Sequence, residues 1–298
     1  MRGFNGENIA MEELSFSNEG LHFSAVGLGE GPLVICLHGF PDCLHSFRHQ
    51  MPALAAAGYR VIAPCLRGYE PSSQTADGHY PIPAMTTDVI ALMDHLGVKK
   101  AHLVGHDWGA AITYMAGTAF PDRFLSLTTM AVPHPGRFGE EIRRHRKQMR
   151  RSWYMSFFQL RGVSDFVVGF NNYAFIHMLW RDWSPGWAFE PEDIGPVIET
   201  LKRPGVKKAA LGYYRSARAT SASSNLPDPG FKVPVPTLAL TGSKDGCIGT
   251  DFFQLTTRAE DFPAGLELRE VPGVGHFLHQ EAPETINDFL INWLGQHS

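Results

Sequence analysis

The hexapeptide Gly105-His106-Asp107-Trp108-Gly109-Ala110 places a carboxylate between two glycines, after an apolar run and ahead of a helical pattern. Small residues on both sides of a reactive one suit a strand-to-helix turn so tight that a Cβ would collide with passing backbone. Such a turn lifts the central side chain to the C-terminal edge of a sheet, and the helix N-terminus behind it favours a negative charge. An aspartate at a helix start is also a common N-cap. Taken alone, the hexapeptide supports nucleophile and cap equally. Three other segments tip the balance. His38-Gly39-Phe40-Pro41 follows the first central apolar run, Thr241-Gly242-Ser243-Lys244-Asp245 a later one, and Gly273-Val274-Gly275-His276-Phe277 the last. All four segments fall beyond the carboxyl ends of expected strands, where open α/β sheets bind ligands.

The elements that must hold these residues can be read from short β-branched and apolar runs alternating with longer helical patterns. Strands are expected at Leu33–Leu37, Arg60–Ala63, Ala101–Gly105, Phe124–Ala131, Thr237–Thr241 and Leu266–Val271, apolar enough to be covered on both faces. Leu14–Ser17 and His22–Gly27 flank Asn18-Glu19-Gly20 and read as an antiparallel hairpin. Helices are expected over Phe47–Ala57, Met85–Leu96, Trp108–Ala119 and Pro283–Leu294, the first two ending at Gly58 and Gly97 as C-terminal glycines should. The alternation breaks between Pro133-His134-Pro135-Gly136 and Pro227-Asp228-Pro229-Gly230, a helical-looking stretch with four of the six tryptophans. The fold class is therefore α/β, a mostly parallel eight-stranded sheet flanked by helices, with an inserted helical cap. The core takes residues 1–133 and 229–298, the cap 134–228.

Composition excludes several functions. Charged residues are 19% of the 298, below the roughly 25% usual in soluble domains, so a large interior is expected. A net charge of −4 argues against nucleic acid. The first eight residues lack a signal-peptide layout, no apolar run approaches a membrane span, and the chain reads as cytoplasmic. Cys36, Cys43, Cys65 and Cys247 form no CxxC pair and read as free thiols, with no zinc site. The basic run from Arg143 to Arg151 is read as a solvated helix face rather than a membrane or acidic-partner surface. No metal or organic cofactor is signalled, and monomer and homodimer are both compatible.

The order nucleophile, acid, histidine is that of α/β hydrolases. Over almost its whole length the sequence resembles the epoxide hydrolases of that fold. The resemblance rests on His38-Gly39-Phe40-Pro41, Arg67-Gly68-Tyr69, Gly105-His106-Asp107-Trp108-Gly109, Pro133-His134-Pro135 and the Asp245 and His276 segments. It implies a cis bond before Pro41, with His38, Gly39 and Pro41 shaping the turn. It also implies two cap tyrosines above the nucleophile, matched by Trp153-Tyr154…Phe158-Gln159 and Tyr213-Tyr214-Arg215. Tyr154 and Tyr214 are assigned, Tyr213 being the competitor for the second place. An epoxide is strained but has a poor, tethered leaving group, and a phenol near pKa 10 can protonate it where a carboxylic acid would be ionised. The family chemistry is then ester formation on Asp107, followed by attack of water activated by His276 and its partner Asp245. Phe40 and Trp108 would line the substrate site and donate their amides to the oxyanion.

Haloalkane dehalogenases share the aspartate and the following tryptophan but need halide donors, often an Asn where Phe40 stands. Fluoroacetate dehalogenases usually carry Arg at the position of Trp108. A serine esterase lacks its hydroxyl here. A hydrolase scaffold kept only for ligand binding is the remaining class. The aromatic residues Trp153, Phe157, Phe158, Trp180, Trp183, Trp187 and Phe189 suggest an apolar cap interior and an apolar epoxide substrate, with water as the second reactant.

Overall fold

The computed structural model describes residues 11–218 and 232–298. A hairpin of β1 (Glu12–Asn18) and β2 (Leu21–Leu28) opens the chain, its turn at Glu19 and Gly20 taking φ 49° and 78°. The remaining strands are β3 (Leu33–Leu37), β4 (Arg60–Pro64), β5 (Ala101–His106), β6 (Phe124–Met130), β7 (Thr237–Gly242) and β8 (Leu266–Val271). They form one sheet in the order β1-β2-β4-β3-β5-β6-β7-β8, parallel from β4 onward. Strands β3, β5 and β7 are buried at every position because helices cover both faces. The expectation of two covered faces fails for β8, an edge strand whose Arg269 and Glu270 are exposed.

Helices α1 (Gln50–Ala56), α2 (Ile82–His95) and α3 (Trp108–Ala119) follow β3, β4 and β5. The first starts later than the sequence suggests, since Leu44–Phe47 forms a separate 3-10 turn; the second starts earlier, with Pro83 in its first turn. Among the described residues, six helices lie between β6 and β7: α4 (Pro135–Glu141), α5 (Arg146–Arg151), α6 (Trp153–Phe157), α7 (Val163–Trp183), α8 (Pro191–Lys202) and α9 (Val206–Arg218). The segment expected to close this insertion, Pro227-Asp228-Pro229-Gly230, lies outside the described residues, as does the N-terminal octapeptide. Helix α7 breaks at 170–173, where Asn171, Asn172 and Tyr173 take left-handed φ of 48°, 50° and 61°. Asparagine tolerates that region and tyrosine does not, so the Tyr173 hydroxyl bond to Leu201 O (2.8 Å) helps hold the bend. After β7 come α10 (Thr250–Thr256), not read from the sequence, then α11 (Leu278–Glu281) and α12 (Pro283–Gln296). Among the described residues no helix is long and apolar enough to cross a membrane.

The insertion is tied to the sheet by specific bonds. Trp180 Nε1 donates to Pro41 O (2.9 Å), and Tyr213 Oη donates to Arg67 O (2.6 Å). The carbonyl of Trp183, at the end of α7, accepts from the amides of His276 and Gly246 (3.0 Å each). One helix end thus fixes two loops of the sheet edge.

The turn from β5 into α3 leaves no room at its glycines. A Cβ on Gly109 would lie 2.1 Å from Leu37 O, and one on Gly105 2.2 Å from Gly109 O. Both obstacles are backbone of neighbouring elements. Gly109→Ala should therefore destabilise the fold by about 3 kcal/mol or more, read as a lowered urea midpoint with unchanged slope.

Candidate active site

Asp107 sits on the turn with φ 51° and ψ −115°, a conformation costing on the order of 1–3 kcal/mol for a residue with a Cβ. It does not cap its own helix: its side chain makes no capping bond to α3. Instead Oδ1 accepts the amide of Phe40 at 2.7 Å, from the loop after β3. The Phe40–Pro41 peptide bond is cis, as the resemblance implied. Oδ2 lies 3.5 Å from His276 Nε2, an ion-pair distance rather than a hydrogen bond, and Nε2 has no hydrogen-bond partner. His276 Nδ1 faces Asp245 Oδ2 at 3.0 Å, while Asp245 Oδ1 accepts the amides of Cys247 (2.7 Å) and Ile248 (2.8 Å). Nucleophile candidate, imidazole and second carboxylate are all buried.

Burial by itself would keep His276 neutral. Two flanking carboxylates outweigh it, Asp245 most strongly and then Asp107, and raise the imidazole pKa to about 10. For Asp107 burial favours the neutral acid, yet the His276 contact and the Phe40 amide win and hold the carboxyl below its usual value. These shifts favour a charged Asp107 beside a charged His276, with Asp245 on the other side of the imidazole. The neighbouring histidines are different. Burial first, then the His276 charge, lowers His106 to about 3; its Nε2 bonds the His276 carbonyl (3.0 Å). His38 is lowered to about 4 by burial, its Nδ1–H donating to Gly39 O (3.1 Å) and Nε2 accepting from Leu66 N (3.2 Å). These two shape the turns as neutral rings.

The insertion supplies the roof. Tyr214 packs its ring against Trp108 (5.0 Å), Phe40 (5.4 Å) and Tyr154 (5.7 Å), so it meets both the residue after Asp107 and the one whose amide Asp107 accepts. Its hydroxyl is buried without a hydrogen bond; the Trp108 indole N–H faces it but does not reach bonding geometry. Tyr213 donates its hydroxyl to Arg67 O and faces the Tyr69 and Tyr80 rings, which commits it to the core. Of the two adjacent tyrosines, Tyr214 alone keeps a free hydroxyl over the site. The Tyr154 hydroxyl meets Cys247 Sγ at 3.2 Å. Burial first, with the Asp107 charge contributing, pushes both phenols well above 10, so both are neutral.

The structure brings Asp107, Asp245, His276, Tyr154, Tyr214, Phe40 and Trp108 to one place. His38, Gly39 and Pro41 stand in the loop beside it. Trp108 opens α3; of the two amides expected to face the oxyanion, the one that bonds Asp107 is that of Phe40. Cys247, read from sequence only as a free thiol, is the residue that was missed: its amide steadies Asp245 and its sulfur touches Tyr154. Positions 93 apart in the chain leave no periodic signal for that contact. All four cysteines are free and buried. Asp245, Cys247 and His276 form one of two buried trios among the described residues whose donor atoms lie within 4.8 Å of one another, the other being Asp42, His106 and His279. In the first trio the hydrogen bonds just described already engage the donors of Asp245 and Nδ1 of His276.

Sheet order, turn and buried row together define an α/β hydrolase, and the family described as alpha/beta hydrolase fold matches residues 32–283. An epoxide hydrolase of Caballeronia sordidicola is 31% identical over 311 aligned positions, spanning 95% of this chain and 94% of that protein. Human epoxide hydrolase 4 is 29% identical, covering 94% of this chain and 78% of that one. The crystal structure of epoxide hydrolase VrEH1 from Vigna radiata superposes with a TM-score of 0.80 at 27% identity, over 96% of this chain and 98% of its own. The chain belongs to the epoxide hydrolase family of α/β hydrolases.

The charge row has a direct test. In an NMR pH titration of the His276 ring, the free protein should keep it protonated through neutral pH and lose the proton near pH 10. Asp107→Asn removes one of the two charges that raise it, so the midpoint should fall. An unmoved midpoint would show that Asp107 contributes nothing to it.

Proposed function

We propose that the protein hydrolyses an apolar epoxide to a vicinal diol through an ester on Asp107. The observation that carries this reading is a neutral, buried Tyr214 hydroxyl without a partner, standing with Tyr154 over a carboxylate that does not cap its helix. A phenol pair is suited to an oxygen leaving group. The helices between β6 and β7 act as the cap domain that carries it.

In the first step Asp107 Oδ2, the oxygen without an amide donor, forms a bond to an epoxide carbon as the ring C–O bond breaks. The departing oxygen takes a proton from one phenol, and the second phenol holds the oxygen in line. Esterification removes the Asp107 charge, one of the two that hold the proton on His276. The imidazole can then release that proton to restore the phenol, and becomes the neutral base that hydrolysis needs. Water, deprotonated by His276 and steadied by Asp245, attacks the ester carbonyl carbon. The acyl C–O bond breaks, and the departing alkoxide takes the proton left on the new carboxyl group. The diol leaves with an original Asp107 oxygen, and Asp107 is again a carboxylate beside the imidazolium. The Phe40 amide already touches Oδ1 and is placed to follow the developing oxyanion; losing such a donor typically costs about 3–4 kcal/mol.

One turnover in oxygen-18 water with excess enzyme and a simple aryl epoxide tests the route. The first diol should be unlabelled by the solvent; heavy oxygen in it would mean direct water attack and would sink the ester. His276→Gln should accumulate the ester, visible as an added substrate mass on the intact protein. Changing both Tyr154 and Tyr214 to Phe should slow ester formation by about 10² or more. Halide release from a chloroalkane or bromoalkane at a comparable rate would favour the dehalogenase reading instead.

A further inference from the structure

Six of the eight large apolar side chains standing exposed among the described residues fall between positions 149 and 170: Met149, Trp153, Leu160, Val163, Phe166 and Phe170. Phe166 and Phe170 are 66% and 61% exposed, with rings 5.6 Å apart. Val163, Phe166 and Phe170 recur at helical spacing along the first half of α7, on one side of it. Exposed apolar residues are ordinary when scattered singly; this many in one short stretch mark an interaction surface.

The same stretch is charged in one sense. From 142 to 164 the chain carries seven arginines and lysines and no acidic residue, although the whole protein has a net charge of −4. On α5, Arg146, Lys147 and Arg150 are exposed around Met149, one turn before Trp153. Lys147 reaches Asp251 (3.5 Å) and Arg144 stands 4.0 Å from Glu141. No ion pair is formed by Arg143, Arg146, Arg150 or Arg161 with the described residues. A basic run by itself is a solvated helix face. Met149, exposed among these cations, and Trp153 one turn on change what it can meet.

We propose that this face of the insertion docks reversibly on an anionic lipid surface. Guanidinium groups would meet lipid phosphates while Trp153, Phe166 and Phe170 enter the headgroup region, the two signals that peripheral binding needs. Charge selects this occupant over a second copy of the chain. A two-fold pairing through the same patch would set each arginine cluster against its twin. The site lies close by in sequence: on α6, Trp153 faces outward and the next residue, Tyr154, is buried over Asp107. Resting on the epoxide reading, docking would present the enzyme to apolar epoxides held in the bilayer.

Co-sedimentation of the whole protein with vesicles of phosphatidylcholine, alone or with added phosphatidylglycerol, tests this without substrate. Binding should be at least about tenfold stronger to the anionic vesicles and should weaken as salt is raised. The pairs Arg146→Glu with Arg150→Glu, and Phe166→Ser with Phe170→Ser, should each reduce it about tenfold while turnover of a dissolved epoxide stays unchanged. Absent or charge-indifferent binding by the folded protein overturns the proposal. So does a dimer in equilibrium ultracentrifugation that the phenylalanine pair abolishes without vesicle binding, since that assigns the face to a second copy. Because binding is read without catalysis, inactivity on epoxides would overturn the epoxide reading and leave docking standing.

Discussion

Two carboxylates buried around one imidazole are the constraint on which this structure turns. An ionised carboxyl inside a protein is costly unless opposite charge and hydrogen-bond donors surround it. Here Asp245 draws two amides from its own loop, Asp107 draws one from the loop after β3, and His276 stands between them as the cation. No single strand could supply that set. It needs the carboxyl ends of β3, β5, β7 and β8 in register, and the parallel pairing delivers them side by side. The tight turn at Asp107 belongs to the same requirement, because it lifts the side chain to the Phe40 amide and to ion-pair distance of His276.

Under the proposed mechanism the row also links the two half-reactions. A carboxylate held ionised would attack before any base acts, and the imidazole held protonated by that charge would become a base only once an ester has formed. The insertion adds what the sheet cannot: the neutral, buried hydroxyl of Tyr214, which makes no hydrogen bond. Its attachment points, Trp180 to Pro41 and Trp183 to His276, are also the loops of the site, so roof and floor are positioned by shared bonds.

Other groups in the interior serve by being inert. His38 and His106 are neutral and locked to backbone, which fixes the turns without adding positive charge beside Asp107. The cap aromatics divide in the same way. Trp180 and Trp183 are buried against Phe277, next to His276, whereas Trp153 stands 46% exposed. One composition of tryptophan and phenylalanine thus makes both an interior wall and an outer surface.

The sequence by itself determined the strand and helix alternation, the insertion between β6 and β7, and the four motifs at strand ends. These are local patterns: runs of period-appropriate apolar residues, and glycines where backbones meet. Trp108–Ala119 and Leu266–Val271 were legible to the residue for that reason. Tertiary structure alone decided what depends on facing surfaces. It separated the two adjacent tyrosines, since the hydroxyl of Tyr213 donates to Arg67 O and that of Tyr214 is buried without a hydrogen bond. It joined Cys247 to Tyr154, left β8 half uncovered at the edge, and turned six apolar side chains of the insertion outward. Spacing along a chain says which side chains share an element's face; only packing says what that face meets.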